Sequence, residues 1–116
     1  MKKLFLIFVL LILIDSVYLY FMGPIVSKHI RMIQGSTVSI NYYGALLTYI
    51  CLALSLYYFK INTVRDAFVL GVIIYGVYEG TNWATFKHWP FFIVVIDTLW
   101  GGVLLGLTTY IIKSIL

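Results

Sequence analysis

Charge is scarce in this chain: Lys, Arg, Asp and Glu together make up 10% of its 116 residues, against about 25% in soluble domains. Apolar side chains fill the gap, at 63% against a usual ~45–50%. A soluble domain this small buries only about two-thirds of its unfolded surface, so water would meet far more apolar surface than a stable fold tolerates. A soluble enzyme, a nucleic-acid module and a disordered tail are therefore excluded as classes. Cysteine is nearly absent. The single Cys51 cannot close an intrachain disulfide, matches no metal or redox spacing, and reads as a small filler inside an apolar run. No Ser/Gly linker, charge block or internal repeat divides the chain, so residues 1–116 read as one transmembrane domain. Nor is there a nucleophile elbow, P-loop, potassium-filter sequence or dinucleotide fingerprint. Nothing indicates an enzyme, a cofactor or a metal centre.

What the chain has is four apolar stretches of about the 20 helical residues that cross a hydrocarbon core. They run over residues 4–22, 40–59, 67–86 and 91–112, and none contains Lys, Arg or an interior proline. In lipid each span must satisfy its own backbone hydrogen bonds, which makes these helices, and short connections make neighbours antiparallel. The alternating polarity of a membrane β-barrel is missing. The expected fold is an all-α integral membrane protein, an antiparallel four-helix transmembrane bundle. Met1-Lys2-Lys3 and the apolar run after it resemble a secretory signal, but no small-x-small cleavage site follows, so the segment reads as an uncleaved first span. The first connection, Gly23 to Ser39, reads equally as a short interfacial helix carrying Lys28 and Arg31 or as a plain loop.

Basic residues in the loops set the orientation. Lys2, Lys3, Lys60, Arg65 and Lys113 fall on one side, and Lys28, Arg31 and Lys87 on the other. The excess places both termini of this multi-pass chain in the cytoplasm. Aromatic residues, among them Tyr18, Tyr20, Tyr42, Tyr43, Trp83, Trp89 and Phe91, form a belt at the outer span ends. The expected surroundings are the lipid bilayer and a homo-oligomer or larger membrane assembly.

Three of the four acidic residues, Asp15, Glu79 and Asp97, sit within spans; Asp66 lies in a loop beside Arg65. An intramembrane acid costs at least about 2.5–3.5 kcal/mol on insertion scales, and three on one small bundle need compensation. At about 1.5 Å per residue from the cytoplasmic ends, Asp15 lies roughly 16 Å, Glu79 roughly 18 Å and Asp97 roughly 22 Å deep. One shared polar pocket follows from those depths. Helical spacing lines it with Tyr75, Tyr78, Glu79 and Asn82 from the third span. The fourth supplies Asp97 and Gly101 beside Trp100, and the first the row Phe8, Leu11, Asp15, Tyr18 and Met22. Tyr42, Tyr49 and Ser55 of the second span offer hydroxyls. With no base inside a span, two forms of compensation remain. Either Lys28, Arg31, Lys87 or His88 reaches down to pair with an acid, or the acids carry protons and hydrogen-bond to Asn82, Tyr78 or Thr81. The pairs Gly76/Gly80 and Gly102/Gly106 have the small-xxx-small spacing of close helix contacts.

The run Tyr78-Glu79-Gly80-Thr81-Asn82-Trp83-Ala84-Thr85, then Lys87, Trp89-Pro90 and Asp97-Thr98-Leu99-Trp100-Gly101, resembles the signature of a family of small bacterial predicted membrane proteins classed as a domain of unknown function. That pattern is approximately Tyr-Asp-x-Thr-Asn-x-Ala-Thr, Trp-Pro, Asp-x-x-Trp-Gly, after an Asp late in the first span that Asp15 matches. Glu79 stands where the pattern has Asp, keeping the charge and lengthening the side chain by one methylene. The resemblance implies a four-span membrane protein and points to Asp15, Glu79, Thr81, Asn82, Trp89, Pro90, Asp97, Trp100 and Gly101. It carries no established activity. Two roles fit the residues: an acidic pocket that binds or moves a proton, a cation or an amine-bearing molecule, or an accessory subunit whose acids only fasten helices together. An intramembrane enzyme ranks last, for want of a nucleophile or metal set.

Overall fold

The computed structural model describes residues 1–116 and consists of four helices with no strand: α1 (Lys2–Gln34), α2 (Tyr42–Tyr58), α3 (Val64–Thr85) and α4 (Phe91–Ile115). The ends are set by local chemistry. The Asn41 side chain accepts from the amides of Tyr43 and Gly44 at 3.0 and 3.3 Å and opens α2. Thr63 does the same for α3, accepting from the Asp66 amide at 3.1 Å, with the acidic Asp66 suitably placed in the first turn. Each of the four apolar stretches lies largely within one helix.

The first helix is longer than the sequence suggests. It has 33 residues, about 50 Å at helical rise, and runs unbroken through Pro24 and the segment expected to form a separate short helix or a loop. Pro24 removes one backbone donor, but nothing after it favours a turn until Gly35. There the backbone enters the left-handed region at φ 77°, and the Gly35 amide closes the helix on the Arg31 carbonyl.

The helices are arranged in the order α2, α1, α4, α3, each packed extensively only on its neighbours in that series. Residue pairings make every contact antiparallel. Asp15 meets Tyr49, and Lys3 lies near Leu56, for α1 with α2. Tyr18 meets Asp97, and Ile7 lies near Thr109, for α1 with α4. Gly71 meets Gly101, and Val64 meets Gly106, for α3 with α4. The α3/α4 contact is the tightest: a Cβ on Gly71 would stand 2.0 Å from the Gly101 carbonyl oxygen, and one on Gly102 2.8 Å from the rings and methyls of Phe68 and Val72. Of the glycine pairs expected at helix contacts, Gly102 and Gly106 lie in this interface, while Gly76 only grazes Thr98 at 3.8 Å and Gly80 has nothing within 4 Å. Gly80 points away from α4, so its spacing from Gly76 brings no contact within the chain. Between α2 and α3, which are consecutive but barely touch, lies a side cleft of about 680 Å³ lined by Leu47, Thr48, Cys51, Leu52, Ile74, Tyr75 and Tyr78.

The apolar core (Ile7, Leu11, Leu52, Ala53, Leu56, Ala67, Leu104, Leu105 and Ile112) is small, and large apolar side chains such as Leu47, Ile73, Val77, Leu99 and Leu107 stay exposed along all four helices. A soluble monomer does not carry so continuous an apolar surface. Helices α1 and α4 are long and apolar enough to cross a membrane.

Candidate functional site

Three acids, Asp15 and Glu79 buried and Asp97 partly so, come from three helices and converge on one layer, each held by an aromatic donor. Asp15, 7% exposed, accepts the Trp100 indole N–H on Oδ1 at 2.8 Å and the Tyr49 hydroxyl on Oδ2 at 2.5 Å. This one carboxylate therefore joins α1 to α4 and to α2. Asp97 accepts the Tyr18 hydroxyl on Oδ1. Tyr18 also stacks on Trp100, with centroids 4.6 Å apart and planes 4° from parallel, so the two hydrogen-bonded pairs are locked to each other across the α1/α4 contact. Glu79, fully buried, accepts the Trp89 indole N–H on Oε1 at 2.9 Å. Its other oxygen, Oε2, has no hydrogen-bond partner. The Asp97 carboxyl faces Glu79 across the α3/α4 contact, and buried Asn82 lies alongside on α3.

Local backbone geometry delivers these groups. In the five-residue corner between α3 and α4, His88 takes a left-handed conformation at φ 62°, and this turn returns the following Trp89 to α3, where it is 6% exposed. Trp89 thus belongs to the interior and not to the interfacial belt in which its position near a span end suggests it. The donors to the acids are all neutral aromatic groups, and none is the Lys28, Arg31, Lys87 or His88 that the sequence offers as a counter-charge. Lys87 and His88 are solvent-facing, as are Lys28 and Arg31.

Several candidate residues stand apart from the layer. Tyr78 is 58% exposed and lines the side cleft with Tyr75. Consecutive helical residues point about 100° apart, and α3 packs extensively on α4 alone, so Glu79, Asn82 and the Tyr75 ring, which lies on Gly101, turn inward while Tyr78 does not. Thr81 donates to its own helix at the Val77 carbonyl, Ser55 to the Leu52 carbonyl, and Tyr42 is exposed. Pro90 caps α4, and Gly101 supplies the close approach to Gly71 below the layer. The role of Tyr18 and Tyr49 as specific donors was only partly readable: their helical faces are legible, but their acceptors lie 79 and 34 residues away.

An all-helical chain with an apolar exterior and buried carboxylates on neutral donors is a membrane-protein architecture. Comparison with protein families agrees: a family model described as a predicted membrane protein (DUF2177) matches residues 1–113. The chain belongs to that family, whose function is unknown. No curated protein and no solved structure matches it.

Proposed function

We propose that this chain is a four-span bundle whose acid layer binds or moves a small cationic species: a proton, a cation or an amine-bearing molecule. The observation that supports it is the convergence of Asp15, Glu79 and Asp97, from α1, α3 and α4, with no basic side chain among their donors. Buried acids without internal counter-charges are expensive in a bilayer and characteristically mark ion or proton pathways. Asn82 and Trp100 complete the layer, and Tyr78 borders the side cleft that gives lateral access toward it. A homo-oligomer supplies the surface that four short helices lack for a complete path. In this reading α2, with 17 residues or about 26 Å, crosses a thin part of the bilayer, and both termini are cytoplasmic.

The topology is tested by cysteine labelling on a Cys51→Ala background. Single cysteines at Ser36 and Ser114 are expected to react from opposite faces, and same-side reaction ends the four-span arrangement. The site is tested with Asp15→Asn, Glu79→Gln and Asp97→Asn in the full chain reconstituted in liposomes. These substitutions keep shape and most hydrogen bonding. The expected result is wild-type folding with a loss of proton, cation or alkylamine binding or flux of roughly tenfold or more, the scale of one charged interaction.

A second reading, a scaffolding or accessory subunit, draws on Asp15 in particular, since both of its oxygens are satisfied by two other helices. It requires that the wild-type chain neither binds nor moves such species and that all three amide variants assemble normally with its partners.

A further inference from the structure

Glu79 differs from the other two acids. Its side chain is completely buried, one oxygen takes the Trp89 N–H, the other is buried with no hydrogen bond, and the Asn82 amide lies close beside the carboxyl. A carboxylate oxygen left bare in a dry interior is strongly disfavoured. What faces Glu79 is a second carboxyl, Asp97, whose Oδ1 already accepts from Tyr18. Two carboxylates only accept, so neither can satisfy the other unless one of them holds a hydrogen.

Size narrows what sits between them. The side cleft and four other cavities of the molecule are lined by other residues, and neither Glu79 nor Asp97 contributes to any of these five. An amine or a hydrated cation needs space and several oxygen ligands; a proton needs none. Tyr18 on α1 also lies near Glu79 and brings no positive charge. α2 sends Tyr49 to Asp15 and not to Glu79.

We propose that Glu79 and Asp97 hold a single proton between them, carried on Glu79 Oε2 and donated to the free side of the Asp97 carboxyl. This deepens, and rests on, the reading of the acid layer as a site, and makes a proton its ligand. The step it allows is a plain transfer: the O–H bond on Glu79 breaks, a new one forms on an Asp97 oxygen, and Glu79 is left as a carboxylate held by Trp89. Asp97, only partly buried, is the member of the pair that can pass the proton on.

The chain offers an unusually direct test, because Glu79 is its only glutamate. Glutamate labelled with carbon-13 at the side-chain carboxyl therefore reports this one group in the unmodified full chain. In liposomes at neutral pH, the label is expected to shift an infrared band of a protonated carboxylic acid. If it shifts only carboxylate bands, Glu79 is ionised and the proposal is overturned. Asp97→Asn in the same labelled protein supplies an N–H donor to Oε2 and removes the neighbouring charge, so most of the Glu79 signal should move to the carboxylate region. A signal that stays protonated in that variant overturns the sharing with Asp97. A protonated Glu79 in a chain that moves and binds nothing would leave this inference standing and sink the functional reading. An ionised Glu79 with flux that depends on the three acids would do the reverse.

Discussion

Gly71→Ala is expected to separate α3 from α4 and to lose the acid layer with them. The added methyl would stand 2.0 Å from the Gly101 carbonyl oxygen, 2.5 Å from its carbon and 2.9 Å from Gly102 Cα. All three atoms are backbone of the facing helix, so no side-chain rotation relieves the overlap and the helices must move apart. Overpacking of this kind typically costs about 1–3 kcal/mol and more where nothing can yield, and close contact through small residues is the main source of helix association in lipid. Gly80→Ala is the matched control. It lies on the same helix with nothing within 4 Å, and alanine exceeds glycine in helix propensity by about 1 kcal/mol, so it should be neutral or mildly stabilising. Denaturation in detergent micelles distinguishes the two. Equal effects at both positions would mean that the α3/α4 contact is not the closest joint of the molecule.

The second large effect belongs to Asp15. Asp15→Leu keeps the branched four-atom skeleton, with methyls bulkier than the oxygens they replace, but strands the Tyr49 hydroxyl and the Trp100 N–H, which both end on this carboxylate. Orphaned buried donors cost about 1–3 kcal/mol each in soluble proteins, whereas interhelical bonds in a membrane average about 0.6 kcal/mol. The expected loss for the pair is therefore roughly 1–4 kcal/mol. Adding Tyr49→Phe and Trp100→Phe removes both stranded donors and should recover much of that loss, although the Trp100 change also weakens the stack on Tyr18. Unfolding of the single, double and triple variants measures the recovery. If the triple variant is no better than Asp15→Leu alone, the two hydrogen bonds are not what makes Asp15 indispensable.

How far the sequence leads can be judged from particular residues. The helices were legible because apolar runs and their breaks are local: the runs 40–59, 67–86 and 91–112 each coincide with one helix to within three residues at either end. The overrun of α1 past Gly23 was not, because Pro24 and Gly23 both suggest an ending that only the absence of a competing turn removes. Acids on inward faces were legible from helical period. Their donors were not, since Trp100 lies 85 residues from Asp15 and Tyr18 lies 79 from Asp97; such pairings depend on which helices adjoin. The order α2, α1, α4, α3 leaves Tyr78 at an edge, where a closed four-sided bundle would have turned it inward. Trp89 was hidden for a different reason. Its reach back to Glu79 depends on one left-handed residue, His88, and histidine announces no such turn.

The distance along the chain between Asp15 and Trp100 also sets a problem of timing. A ribosome makes α1 and α2 first, so for most of synthesis the Asp15 carboxyl has only Tyr49 as a donor, and Tyr18 has no acceptor and no stacking partner. Both are supplied by α4, the last of these four helices to emerge. If the chain enters the bilayer as it is made, its first hairpin waits there with an unfinished acid. It is then open to capture by a chaperone or insertase with a polar groove, or to removal by quality control, until the second hairpin docks along the α1/α4 seam. Truncation anywhere before Trp100 should leave that exposed acid permanently in place, turning a stable protein into a substrate for degradation.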